Sequence, residues 1–352
     1  MVATFDAIMC LVGKGAVRMH TNERYRRAGW FRFRSILLIV GGAAVLSAAV
    51  IGMRRRASKT APTQAGLISE MEMRERLLKE LPVTERRLDL AGVSTSLLEG
   101  GEGPPIVLLH GQGGFAAMWG RVIPHLVGSH HVAVPDLPGL GHSEVRAGNL
   151  DAPAMVAWLG ELIEQTCAEP PVLVGHSLGG SFAAHFAIER GDQLRGIVLV
   201  DSGSLGPFRP TPGALAALVR YIVRPSPTTY ERFSRQVFFD PDRVHSEGGE
   251  RWEALQAYHI DRTSQPSVRA ANRQLLRRIG VRQIPPDQLR KIGVPVALIW
   301  GRNDRIMRFR IAEEASEHFG WPLYPIDDCG HVSSVERPDA FLEALHTAIA
   351  EM

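Results

Sequence analysis

Pro171-Val172-Leu173-Val174-Gly175-His176-Ser177-Leu178-Gly179-Gly180 is the stretch that decides the architecture. Four strand-forming residues run straight into Gly175-His176-Ser177-Leu178-Gly179, and helical spacing follows as far as Arg190. A serine at the tip of so sharp a strand-to-helix turn is strained, and only small neighbours let the two elements approach closely. The turn lifts the Ser177 hydroxyl clear of both elements. It also leaves the Leu178 N–H at the start of a helix, where it can stabilise an anion. Ser177 is the candidate nucleophile.

Working outward, residues 105–109, 131–134, 171–174, 196–200 and 295–300 are short apolar runs, and helix candidates lie at 152–168, 178–190, 308–319 and 337–351. Apolar strands alternating with helices predict an α/β fold with a mostly parallel sheet covered on both faces. An antiparallel pair opens it at 84–99. Between Ser204 and Lys291 the rhythm breaks: helical segments at 213–223, 228–238, 249–260 and 266–279 replace strands. So long an insertion is seldom bare loop, and it is expected as a helical cap over the sheet's C-terminal edge, where open α/β sheets bind ligands. The expected organisation is core at 84–203, cap at 204–291 and core again at 292–352.

A serine hydroxyl needs a base, and the base needs a partner that fixes its tautomer. Of 13 histidines, His331 is best placed, in Asp328-Cys329-Gly330-His331 just after the last apolar segment. His130, His131 and His346 sit in strand or helix contexts that suit packing. Asp304, in Gly301-Arg302-Asn303-Asp304 after the strand at 295–300, is the candidate acid, and Asp201 after the strand at 196–200 is the alternative. The loop His110-Gly111-Gln112-Gly113-Gly114 is expected to supply a second anion-stabilising donor, from the Gln112 N–H or failing that Gly113, with His110 bracing the loop.

These motifs resemble the α/β-hydrolase superfamily over residues 84–352. The resemblance rests on the H-G-x-G-G loop at 110–114, Asp136-Leu137-Pro138-Gly139-Leu140-Gly141-His142-Ser143, the turn at 175–179, G-x-x-D at 301–304 and Gly330-His331. It implies a capped, esterase- or lipase-like member with a serine nucleophile. It further implies a Ser177-His331-Asp304 triad, an oxyanion hole at Gln112 and Leu178, and a structural role for the 136–143 turn. The expected reaction is hydrolysis of a carboxylic ester of a small, hydrophobic acyl substrate through an acyl-enzyme, with no metal and no cofactor. Carbon–carbon, amide, lactone or perhydrolase chemistry is the alternative on the same residues, and a non-catalytic binding module is the remaining reading. Serine at 177 argues against members with a carboxylate nucleophile. Leu215, Leu218, Tyr221, Phe233, Phe238, Phe239 and Trp252 of the cap are candidate substrate contacts.

The 352 residues are 45% hydrophobic and 22% charged, a composition that excludes a mostly disordered chain. The formal charge of +3 is unevenly spread. Residues 1–60 hold 11 Lys/Arg against Asp6 and Glu23, and the remainder is net acidic, which argues against nucleic acid as a partner. Residues 35–53 are 19 uncharged residues bracketed by Arg32, Arg34 and Arg54 to Arg56. That length predicts a transmembrane helix after a basic tail at 1–34, and the excess of arginine before it places the main body outside the cytoplasm. A cleaved secretory signal is the alternative. A linker and an amphipathic helix lying on the membrane or on the body are expected over 54–83. Cys10, Cys167 and Cys329 are too few for a disulfide framework.

Overall fold

A computed structural model describes residues 70–352. The candidate membrane segment at 35–53 and the basic tail lie outside the described residues. Among the described residues, no helix is long and apolar enough to cross a membrane.

The first element is helix α1 (Glu70–Leu78), followed by β1 (Thr84–Leu90), β2 (Val93–Gly100), β3 (Pro105–Leu109), β4 (His131–Pro135) and the two-residue β5 (Glu144–Val145). Then come α2 (Ala152–Thr166), β6 (Val172–His176), α3 (Leu178–Arg190) and β7 (Gly196–Val200). Four longer helices follow without a strand: α4 (Pro212–Val223), α5 (Pro227–Val237), α6 (Pro241–Ser264) and α7 (Pro266–Leu275). The chain returns to the sheet with β8 (Val296–Gly301), α8 (Arg310–Phe319), β9 (Leu323–Ile326) and α9 (Pro338–Ala350). In one sheet the order is β1-β2-β4-β3-β6-β7-β8-β9, with β5 beside β2. β2 runs antiparallel to its neighbours, and the strands from β4 to β9 pair in parallel. The expected opening pair and parallel sheet are therefore present.

Side-chain alternation divides the core into two layers. Val107, Leu109, Leu173, Ile197, Leu199 and Leu298 belong to one cluster with Trp158, Phe182 and Phe186 of α2 and α3. Ile106, Leu108, Val174, Val198, Val200 and Ile299 belong to the other with Trp119, Phe341 and Leu345. β3, β6, β7 and β8 are buried throughout, which is why they read as unbroken apolar runs and not as alternation.

α1 lies on the body. Met73 and Leu77 are buried in the main core, and the guanidinium of Arg74 is buried among Glu85 Oε1 (2.6 Å), Ser96 Oγ (2.9 Å), Tyr258 Oη (3.1 Å) and Asp136 Oδ2 (3.3 Å). The 136–143 turn is held the same way: Asp136 accepts the backbone N–H groups of Ala116 and His142 at 2.6 and 2.8 Å. Cys167 and Cys329 are free thiols.

The insertion between β7 and β8 is helical. Gly249, with φ 49° and ψ −138°, is non-helical and divides α6 into two helical stretches, 241–248 and 250–264, so the second corresponds to the helix expected at 249–260 and the first precedes it unannounced. A positive φ suits glycine, which is why the break falls at Gly248-Gly249. Cap and base are joined at separated points, Thr211 N–H to Arg305 O (2.9 Å) and His331 N–H to Val237 O (2.8 Å), while Ile284 N–H to Ser204 O (2.9 Å) ties the two ends of the cap to each other.

Candidate active site

Each sequence-predicted residue sits just beyond the C-terminal end of a parallel strand. Ser177 follows β6 with φ 52° and ψ −112°, a strained conformation for a non-glycine residue. Its backbone is fixed by Ser177 N–H to Val200 O (2.9 Å) and Gly203 N–H to Ser177 O (3.0 Å). The glycines that frame it are sterically required. A Cβ on Gly175 would overlap the Gly179 carbonyl, and one on Gly179 would overlap the carbonyls of Leu109 and His110.

The structure brings Ser177, His331 and Asp304 together. His331 Nε2 lies 3.0 Å from Ser177 Oγ, and His331 Nδ1 lies 2.7 Å from Asp304 Oδ2. The other Asp304 oxygen accepts the N–H groups of Ile306 (2.7 Å) and Met307 (2.9 Å), which fixes the carboxylate plane. Asp201, the alternative acid, makes no hydrogen bond to the imidazole. It accepts Gly301 N–H at 2.9 Å and the Ser333 hydroxyl at 3.2 Å. Burial, reinforced by the nearby Asp304 charge, holds its carboxyl well above the usual range. Asp201, Asp304 and His331 present atoms within 4.8 Å of one another, as metal ligands would. Yet both oxygens of each carboxylate are already engaged, so the cluster reads as a hydrogen-bonded network.

Gln112 and Leu178 line the cavity that opens over Ser177. The Gln112 loop is braced on two sides. His110 Nδ1 lies 2.8 Å from Gly111 O, and Leu137 N–H donates to His110 Nε2 at 2.9 Å. From the cap, Asn272 accepts Gly113 N–H at 3.1 Å, and the Gln112 side-chain amide donates to its Oδ1 (3.0 Å) and backbone carbonyl (2.9 Å). His176 Nε2 donates to the His331 carbonyl at 2.7 Å, and burial pushes the His176 pKa down to about 3, so it acts as a neutral strut.

The cavity has an empty volume of about 1260 Å³, mouth included, and walls that are mainly apolar. Leu218, Tyr221, Phe233 and Phe238 line it as expected, whereas Leu215, Phe239 and Trp252 do not. Trp252 is buried against Phe238 and His245 inside the cap, and Phe239 is partly exposed. Residue type alone does not tell which face of a cap helix meets the cavity. Sequence reasoning also missed Asn272, His259, Arg269 and Glu336. None of them stands in a motif, and only the i, i+3 spacing of Arg269 and Asn272 offered a signal.

A hydroxyl, an imidazole and a carboxylate in line at the C-terminal edge of a doubly covered sheet, under a helical roof, define the class. Residues 106–344 match the alpha/beta hydrolase family, to which the chain belongs, as the sequence motifs implied; it is an enzyme of the hydrolase class. The chain is 29% identical over 257 residues to a pimeloyl-[acyl-carrier protein] methyl ester esterase from Vibrio atlanticus, covering 70% of this chain and 94% of that one. It is 27% identical over 269 residues to a 2-hydroxy-6-oxo-6-phenylhexa-2,4-dienoate hydrolase from Comamonas testosteroni, covering 72% and 90%. The solved structure of such a dienoate hydrolase from Rhodococcus sp. strain RHA1 superposes with a TM-score of 0.67 at 26% identity, covering 76% of this chain and 99% of that one.

Proposed function

We propose that the protein is a membrane-anchored serine hydrolase that cleaves a carboxylic ester of a hydrophobic acyl substrate. The observation that carries this reading is the pair of contacts on His331, 3.0 Å to Ser177 Oγ and 2.7 Å to Asp304. In the cycle, Ser177 attacks the ester carbonyl while His331 takes its proton and Asp304 stabilises the imidazolium. The N–H groups of Gln112 and Leu178 hold the oxyanion, and the alcohol leaves with the proton from His331. Water then attacks the acyl-enzyme by the same route. The apolar walls favour a hydrophobic acyl group, and the similarity to an esterase favours ester cleavage. The uncharged run at 35–53 between arginines supports an anchor that places the body outside the cytoplasm, with a cleaved signal as the alternative.

A fluorophosphonate probe is expected to label the wild-type protein and not Ser177→Ala, and p-nitrophenyl esters of increasing chain length are expected to be turned over. The similarity to dienoate hydrolases favours carbon–carbon hydrolysis as a second reading. Labelling at Ser177 without ester turnover would select it. Absence of labelling would overturn both.

A further inference from the structure

Beyond the reacting serine, the cap presents the cavity with donors and no acceptor charge. Arg269 and Asn272 lie three residues apart on α7, so one helix face turns both towards the cavity. The orientation of Asn272 is dictated by its neighbours. The Gly113 N–H can only donate, so Oδ1 must face it, and Nδ2 turns away from that contact.

His259 of α6 lies beside Asn272. Its Nδ1 is 2.6 Å from the Tyr221 hydroxyl, which also meets Thr263 Oγ1 at 3.0 Å. The imidazole is buried, and burial pushes its pKa down to about 4, so it stands neutral. His259 Nε2 and Asn272 Nδ2 converge beside the anion-stabilising loop. They lie 3.7 and 3.8 Å from where a Cβ on Gly113 would sit. Neither atom has a hydrogen-bond partner among the described residues, and the half-buried Arg269 guanidinium has no ion pair there either.

No aspartate or glutamate lines this cavity among the described residues. A cation and a neutral amide donor against apolar walls fit a planar anion, which the guanidinium fork binds in bidentate fashion and the low dielectric strengthens. We propose that the cavity selects an acyl substrate carrying a carboxylate, held by Arg269 with Asn272 Nδ2 as a neutral donor. The proposal rests on the hydrolase reading above and names its substrate class.

The test compares the mono-p-nitrophenyl ester of adipic acid with the same compound methylated at its free carboxylate. The wild-type enzyme is expected to favour the acid in kcat/KM by about tenfold or more. R269Q is expected to bring that ratio close to one. N272D keeps the oxygen that holds Gly113 but turns an anion towards the cavity, and it is expected to invert the preference. Equal kcat/KM for the two esters in the wild-type enzyme would overturn the proposal. Calorimetry of free adipate with the wild-type protein and R269Q judges the subsite apart from catalysis. Should neither ester be turned over and no fluorophosphonate label appear, the hydrolase reading falls alone. Arg269-dependent adipate binding would still support the subsite, and no binding would overturn it.

Discussion

The Glu336 carboxylate accepts the backbone N–H of Phe239 at 2.6 Å, across 97 positions of chain. Its other oxygen accepts Gly330 N–H at 3.0 Å, next to His331. One buried side chain thus ties the end of cap helix α5 to the loop that carries the imidazole.

Glu336 gives the first prediction. Burial pushes its pKa from 4.5 up to about 7, so the native state retains a proton that the unfolded chain releases. That preference contributes stability fully below about pH 4.5 and loses it as pH rises towards 7, a span of about 3 kcal/mol. Glu336→Gln cannot ionise, so urea midpoints measured across this window should vary less with pH than in the wild type. The midpoints should also be lower throughout, because the amide presents a donor to Phe239 N–H. An unchanged pH dependence would count against the assignment.

The two buried aspartates separate by kinetics. Asp304→Asn is expected to lower kcat about 10⁴-fold by fixing the wrong tautomer of His331. Asp201→Asn should cost about tenfold or less, since Asp201 bonds Gly301 and Ser333 and not the imidazole. Ser177→Ala should lower turnover about 10⁶-fold with no loss of folded protein by circular dichroism. The reverse ranking of the aspartates would reassign the acid.

Asn272→Ala removes the acceptor that holds Gly113 N–H and the Gln112 amide from above. The loop under it then lacks its cap-side support. The expected result is a fall in kcat of about tenfold, less than the roughly 10²–10³-fold loss when an oxyanion donor is removed outright, with Asn272→Asp restoring fluorophosphonate labelling. Equal labelling rates for Asn272→Ala and wild type would deny Asn272 that role.

Arg74→Ala tests whether α1 is part of the folded body. The side chain is buried, and its removal leaves Asp136 and Tyr258 without their cationic partner. Breaking a buried pair in this way typically costs about 3–5 kcal/mol. Denaturant unfolding should show that loss, and Arg74→Lys should not repair it, because an ammonium cannot reach Glu85, Ser96 and Tyr258 together.

The parts of the site that sequence could reveal are those bound to strand ends. Ser177 and Asp304 follow the buried strands β6 and β8 by one and three residues, and such strands leave unbroken apolar runs that are easy to find; His331 follows the partly exposed edge strand β9 by five. The cap was legible as helices but not as faces. Trp252 and Leu215 look like substrate contacts by type, yet where each side chain points is set by packing among four helices. Asn272 and Glu336 act through backbone groups far away in the chain, and such bonds have no local pattern. The break at Gly249 was legible, because glycine takes the non-helical φ 49°, ψ −138° at little cost, whereas the helical turns before it, from Pro241, were not.

The roof over the cavity is stitched down by Thr211 to Arg305, Val237 to His331 and Asn272 to Gly113. Tilting it as one plate would strip all of these seams together, a cost that favours entry through the cavity's mouth over lifting of the vault.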